Sequence, residues 1–123
     1  MQITDFKVGD MLWRIDHDKK SGAVSFVPLP ISKVGRKYVY VQYGLCETKF
    51  QMYIDGNYFI EVKDWGAPTA LYFSEQDARD HVERRNCEDF IARLDYWSLR
   101  KCNFAALREA VKIIKGGMSN GNV

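Results

Sequence analysis

Apolar and polar residues alternate over roughly the first seventy positions of this chain, and beyond Phe73 the period becomes helical. Val8-Gly9-Asp10 reads as a turn, and Met11 to Asp16 as the strand it opens. The polar, glycine-ended stretch DHDKKSG (Asp16 to Gly22) predicts a hairpin tip. AVSFVPL then returns as a second strand, which Pro28 and Pro30 are expected to end because proline has no N–H for the ladder. ISKVGRKYVYVQYG reads as two short strands, or as one strand broken at Gly35. ETKFQMYID is the next strand, with a turn at Asp55-Gly56-Asn57. YFIEVKDW follows, and Gly66 to Pro68 breaks the chain before a last strand, ALYF. Five or six short strands joined by tight turns predict a small bent antiparallel sheet or barrel.

The helical part opens on FSEQDA, with Ser74 as N-cap and Asp77 at the third helical position, a variant of the capping box. Phe73 and Ala78 occupy the hydrophobic-staple positions around that cap. Ala78, Val82, Phe90, Ile91, Leu94 and Trp97 recur at helical spacing and predict one helix. Asn103 caps a second, whose apolar face holds Phe104, Leu107, Val111 and Ile114 and which Gly116 and Gly117 end. Two such helices cannot fold alone, so their apolar faces are expected to cover the barrel. The expectation is an α+β fold in one domain, residues 1–115, with a β part over 1–73 and a helical part over 74–115. Residues 116–123 give no reason for order.

Charge narrows the function classes. The 123 residues carry a net +2, and neither part forms a basic arm, so dependence on phosphate contacts is not the leading expectation. The three cysteines, Cys46, Cys87 and Cys102, have no C-x-x-C spacing, which fits reduced thiols in the cytoplasm and small buried side chains. No secretory leader is visible, and no apolar run approaches the ~20 residues that span a bilayer, so no membrane partner is expected.

Candidate chemistry is sparse. Asp16, His17 and Asp18 alternate faces and do not converge on a metal. His81 and Cys87 are six apart, off the spacing that shares a helix face. A cysteine–histidine pair assembled from distant parts, Cys46 or Cys102 with His81, ranks last among the readings. No phosphate-binding glycine loop or nucleophile elbow is present. We therefore expect no catalytic residue, no cofactor and no metal. The basic-aromatic run RKYVYVQY is more informative. Lys37, Val39, Val41 and Tyr43 share one strand face, and Arg36, Tyr38, Tyr40 and Gln42 the other. Tyr38 and Tyr40 are expected to pack beneath the helices with their rims exposed beside Arg36 and Lys37. Trp65, before a Gly–Pro loop, reads as a barrel plug or an exposed anchor, and Tyr96 as a free ring between the helices.

FKVGDMLWRI resembles the opening strand of many SH3-like barrels, as does ISKVGRKYVYV. ALYFSEQDARDHVE followed by NFAALREAVKII resembles the helical tail of small uncharacterised phage, prophage and mobile-element proteins. The resemblance spans nearly the whole chain and implies an SH3-like barrel with a helical tail. It implies a phage setting in which compact non-enzymatic proteins occupy host proteins, as anti-CRISPR inhibitors do on defence nuclease complexes. The leading expectation is thus a host-protein-binding module using Arg36, Lys37, Tyr38, Tyr40, Trp65 and Tyr96. The alternative is a nucleic-acid-binding SH3-like module.

Overall fold

The computed structural model describes residues 2–53 and 57–118. It falls into two compact units, residues 1–84 and 85–123. The first unit holds a short 3-10 turn, Ile3–Asp5, and six strands: β1 (Met11–His17), β2 (Val24–Val34), β3 (Tyr38–Tyr43), β4 (Cys46–Met52), β5 (Tyr58–Glu61) and β6 (Ala70–Tyr72). Each strand pairs antiparallel with the next, and β1 pairs with β6 through Trp13 and Tyr72, so the sheet closes into a barrel. Closure removes the exposed edges that a six-strand sheet would otherwise carry.

The period-2 pattern fills the barrel. Leu12, Ile31, Val39, Val41, Phe50, Phe59 and Leu71 are fully buried, and none comes from residues 85–118. Phe6 completes the core against Phe59 at 5.0 Å and Phe73 at 5.1 Å between ring centroids.

One local reading changes. β2 runs through both Pro28 and Pro30, which pair with Trp13 and Met11. Ile31 N–H donates to Asp10 O on the β1 side, so by alternation the nitrogens of Pro28 and Pro30 face away from β1. Strand β3 pairs with β2 only from Ile31 onward, so no ladder bond is lost at either proline. Gly35 follows the end of β2, so of the two readings for ISKVGRKYVYVQYG the two-strand one holds, with the strands joined as a hairpin. A Cβ on Gly35 would lie 3.3 Å from Tyr38 O, whose carbonyl accepts the Gly35 N–H. The β3–β4 turn has a positive φ of 55° at Gly44 and none at Leu45, the pattern of a type II′ turn. Of the turn expected at Asp55-Gly56-Asn57, Asp55 and Gly56 lie outside the described residues.

Helix α1 (Glu75–Ala92) starts where its cap predicts. Ser74 Oγ accepts Asp77 N–H at 3.0 Å and donates to the Asp77 carboxylate at 2.9 Å. Asn57 Nδ2 donates to that carboxylate from the barrel at 3.3 Å. Ala78 is fully buried, and Arg79 lies 4.5 Å over the Phe26 ring, so the first turns of α1 belong to the barrel unit. Ser74→Ala is expected to cost about 1 kcal/mol by leaving a helix N–H without its acceptor, read as a lower urea midpoint at unchanged m-value.

In the second unit α1 stops at Ala92, short of the expected Trp97. A one-turn helix, α2 (Tyr96–Arg100), fills the connection, because Asp95 caps it by accepting Ser98 N–H at 2.7 Å. That hydrogen bond holds the Asp95 carboxyl below its ordinary pKa. α3 (Phe104–Gly117) begins at the predicted cap, with Asn103 Oδ1 accepting Ala106 N–H at 2.7 Å, and runs through both glycines to Met118. Residues 85–118 contain no buried residue, so the apolar stripes of these helices are exposed. Among residues 116–123, those from 119 onward lie outside the described residues.

Candidate binding face on the barrel

With Val39 and Val41 turned inward, strand alternation sends Tyr38 and Tyr40 to the outer surface. This corrects the expectation that both rings pack beneath helices. The barrel fills its interior from its own strands, so the outer side of β3 carries no apolar demand, and both rings stay half-buried. Register then decides their neighbours. Lys33 on β2 pairs with Tyr40, which pairs with Lys49 on β4, while Tyr38 pairs with Gln51. The Lys33 ammonium lies 5.1 Å from the Tyr40 ring centroid, and the Lys49 ammonium 4.8 Å from that of Tyr38. Such contacts contribute about 0.5–1 kcal/mol each at exposed sites. They also hold two lysines against a sheet face that would otherwise leave them free.

Arg36 and Lys37 are exposed in the β2–β3 turn immediately before Tyr38. Residues 32–51 thus hold four cations, Lys33, Arg36, Lys37 and Lys49, against one carboxylate, Glu47. The Ser32 hydroxyl sits 2.9 Å from that carboxylate and 3.0 Å from Tyr40 O, within donating reach of either. The near-neutral total therefore conceals a local excess of +3 over these positions.

The same outer side of β4 continues from Lys49 through Gln51 to Tyr53. Tyr53 stacks on Tyr58 with centroids 4.9 Å apart and planes 10° from parallel. Tyr58 meets Tyr72 at 5.4 Å, and Tyr72 meets His81 at 5.1 Å. Burial pushes the Tyr58 hydroxyl above its ordinary pKa.

Of the six residues the sequence singles out, Arg36, Lys37, Tyr38 and Tyr40 come together here. Trp65 lies in the β5–β6 connection and is 84% exposed, so it is no barrel plug. That connection leaves the sheet beside Lys49, whose carbonyl accepts Val62 N–H at 3.0 Å. Tyr96 belongs to the second unit, where it opens α2; its hydroxyl accepts from Arg100 Nη1 at 3.1 Å. Sequence reasoning missed Lys33 and Lys49. Lys33 lies between Ser32 and Val34 and Lys49 between Thr48 and Phe50, each on a different strand from the tyrosines, and strand pairing brings them to the rings.

A second polar group escaped notice. Arg14 and Asp16 share the inward parity of Leu12 and form a two-point ion pair, Nε–Oδ1 2.7 Å and Nη2–Oδ2 3.0 Å. Hydrogen bonding to Arg14 holds the Asp16 carboxyl below its ordinary pKa. Arg14 also lies 5.8 Å from the Tyr43 ring centroid. Burial raises the Tyr43 hydroxyl pKa, and the adjacent guanidinium opposes that rise. The i, i+2 spacing of Arg14 and Asp16 in a strand was the available signal.

Cys46, Cys87 and Cys102 are all exposed, against the expectation of buried thiols. Among the described residues no three His, Cys, Asp or Glu side chains group as metal ligands, and no helix is long and apolar enough to cross a membrane.

The family described as Phage ProQ C-terminal-like domain matches residues 1–119. The chain belongs to this family. No curated protein and no solved structure matches it. The phage setting implied by the sequence resemblance is therefore the family's own, and the barrel-then-helices layout is the one expected. In this Phage ProQ C-terminal-like domain the matched span takes in the barrel, with its basic-aromatic face, and all three helices. The family description names a domain and no reaction.

Proposed function

We propose that this phage domain is a non-enzymatic binding module whose outer β2–β3–β4 face takes single-stranded nucleic acid. The observation that carries the reading is the alternation Lys33–Tyr40–Lys49 across three strands, with Tyr38 beside it. Bases present flat faces only when unpaired, and tyrosine rings accept them without regard to sequence. A base arriving on Tyr38 or Tyr40 displaces an ammonium from the ring, and the freed lysine is then within reach of the adjoining phosphates. Arg36 and Lys37 extend the positive track from the hairpin tip.

Fluorescence anisotropy with labelled single-stranded DNA and RNA 12-mers tests it. Four phosphate contacts give a log–log salt slope of about −2.8, hence roughly fiftyfold weaker binding at 200 mM than at 50 mM salt. Replacing Lys33 and Lys49 by alanine should reduce that slope to about half. No binding of either oligonucleotide at 50 mM salt would sink the proposal.

A second reading, docking on a host protein such as part of a defence nuclease complex, draws support from exposed Trp65 and Tyr96. It expects a stoichiometric host partner that survives nuclease treatment and is lost on changing both aromatics to alanine.

A further inference from the structure

Residues 85–118 carry eleven of the sixteen large apolar side chains exposed among the described residues. Trp97 is 73% and Phe104 71% exposed. At roughly 100 Å² per side chain, below the 150–250 Å² of a whole aromatic ring, they present on the order of 1,000 Å² of apolar surface. A standard interface buries about 800 Å² per partner.

The arrangement on α3 is specific. Phe104, Leu107, Val111 and Ile114 follow one another at spacings of three, four and three, the seam of a coiled coil, and Met118 follows the helix as its C-cap. Ala110 and Gly117 flank the seam, and nothing lies within 4 Å of where a Cβ on Gly117 would be. Small flanks let a second helix approach closely. α1 ends on a shorter stripe, Phe90 and Ile91, with Leu94 two residues past its end, and all three are exposed. Helices of this length are marginal in water without a packed face.

We infer that residues 85–118 form a homodimer interface, with the α3 seam at its centre and the α1 stripe and Trp97 around it. A second copy supplies an equal apolar area by symmetry, and a two-fold axis lets each seam cover the other without leaving an open end. Residues 85–118 carry seven cations and four carboxylates, a net +3 that an anionic bilayer would also attract, so the vesicle arm of the test below separates a lipid surface from a second copy. This inference goes beyond the nucleic-acid reading and does not depend on it.

Sedimentation equilibrium of the full chain tests it. A dimer at about 10 μM is expected, an ordinary strength for an interface of standard size. The variant Val111→Ala with Ile114→Ala should weaken association at least a hundredfold, since four side chains are truncated across the two copies. Neither residue is buried within one chain and alanine favours helix, so the variant keeps its fold, checked by circular dichroism. Trp65→Ala, on the barrel, should leave the dimer intact. A monomer at 100 μM overturns the inference, as does a dimer that the double variant leaves unchanged. A monomer that floats with vesicles of phosphatidylserine and phosphatidylcholine would overturn it in favour of a lipid surface.

Discussion

Phe59→Ala should lower stability by about 3–5 kcal/mol, among the largest effects of any single substitution in this protein. Its ring is fully buried and lies edge-on to Phe6 at 5.0 Å and to Phe73 at 5.3 Å. The three rings join the segment before β1, strand β5 and the residue before the Ser74 cap, so removing the central one leaves a cavity that no single neighbour can fill. A small domain holds about 5–15 kcal/mol in all, and this substitution removes a large share of it. Urea unfolding followed by far-ultraviolet circular dichroism is the measurement. Phe59→Leu keeps most of the volume and should cost about 1.5 kcal/mol or less. A loss below 1 kcal/mol for Phe59→Ala would mean that the barrel does not close around this ring.

Tyr38→Ala combined with Tyr40→Ala should weaken single-stranded nucleic acid binding at least about thirtyfold, because each stacked base contributes about 1–3 kcal/mol. The pair of phenylalanine substitutions, which keeps both rings, should retain binding within a few fold. The alanine variant should still fold, since both side chains lie on the outer side and the inward positions Val39 and Val41 are untouched. Anisotropy at 50 mM salt reads both variants. Unchanged affinity in the alanine variant would leave the lysines acting on phosphate alone and remove stacking from the mechanism.

Strand positions were legible because inward residues recur with period two and turns carry their own chemistry. The Ser74 and Asn103 caps were legible for the same reason, each being a side chain bonding a backbone N–H three residues away. The path of β2 through its two prolines was not. Proline interrupts a strand only where its missing N–H would have a partner, and which side β3 occupies is a matter of pairing. α2 was missed because one helical turn leaves no apolar period to count, although Asp95 was a readable cap. The thiols were misjudged because composition describes an average cysteine, whereas exposure follows from each one's place on an element.

Four of the six residues of the candidate face could be read directly. Arg36, Lys37, Tyr38 and Tyr40 are neighbours in the chain, and alternation separates the tyrosines from the valines between them. Local order by itself therefore determined five or six strands, capped helices, an α+β fold and a basic-aromatic stretch, all products of forces acting over a few residues. Only tertiary structure decided that the stretch is a hairpin and which side of it became core, the latter by closing the sheet. A closed barrel buries one face of every strand and frees the other. Lys33 and Lys49 meet the tyrosines because register sets side chains sixteen positions apart in the chain across one strand from each other.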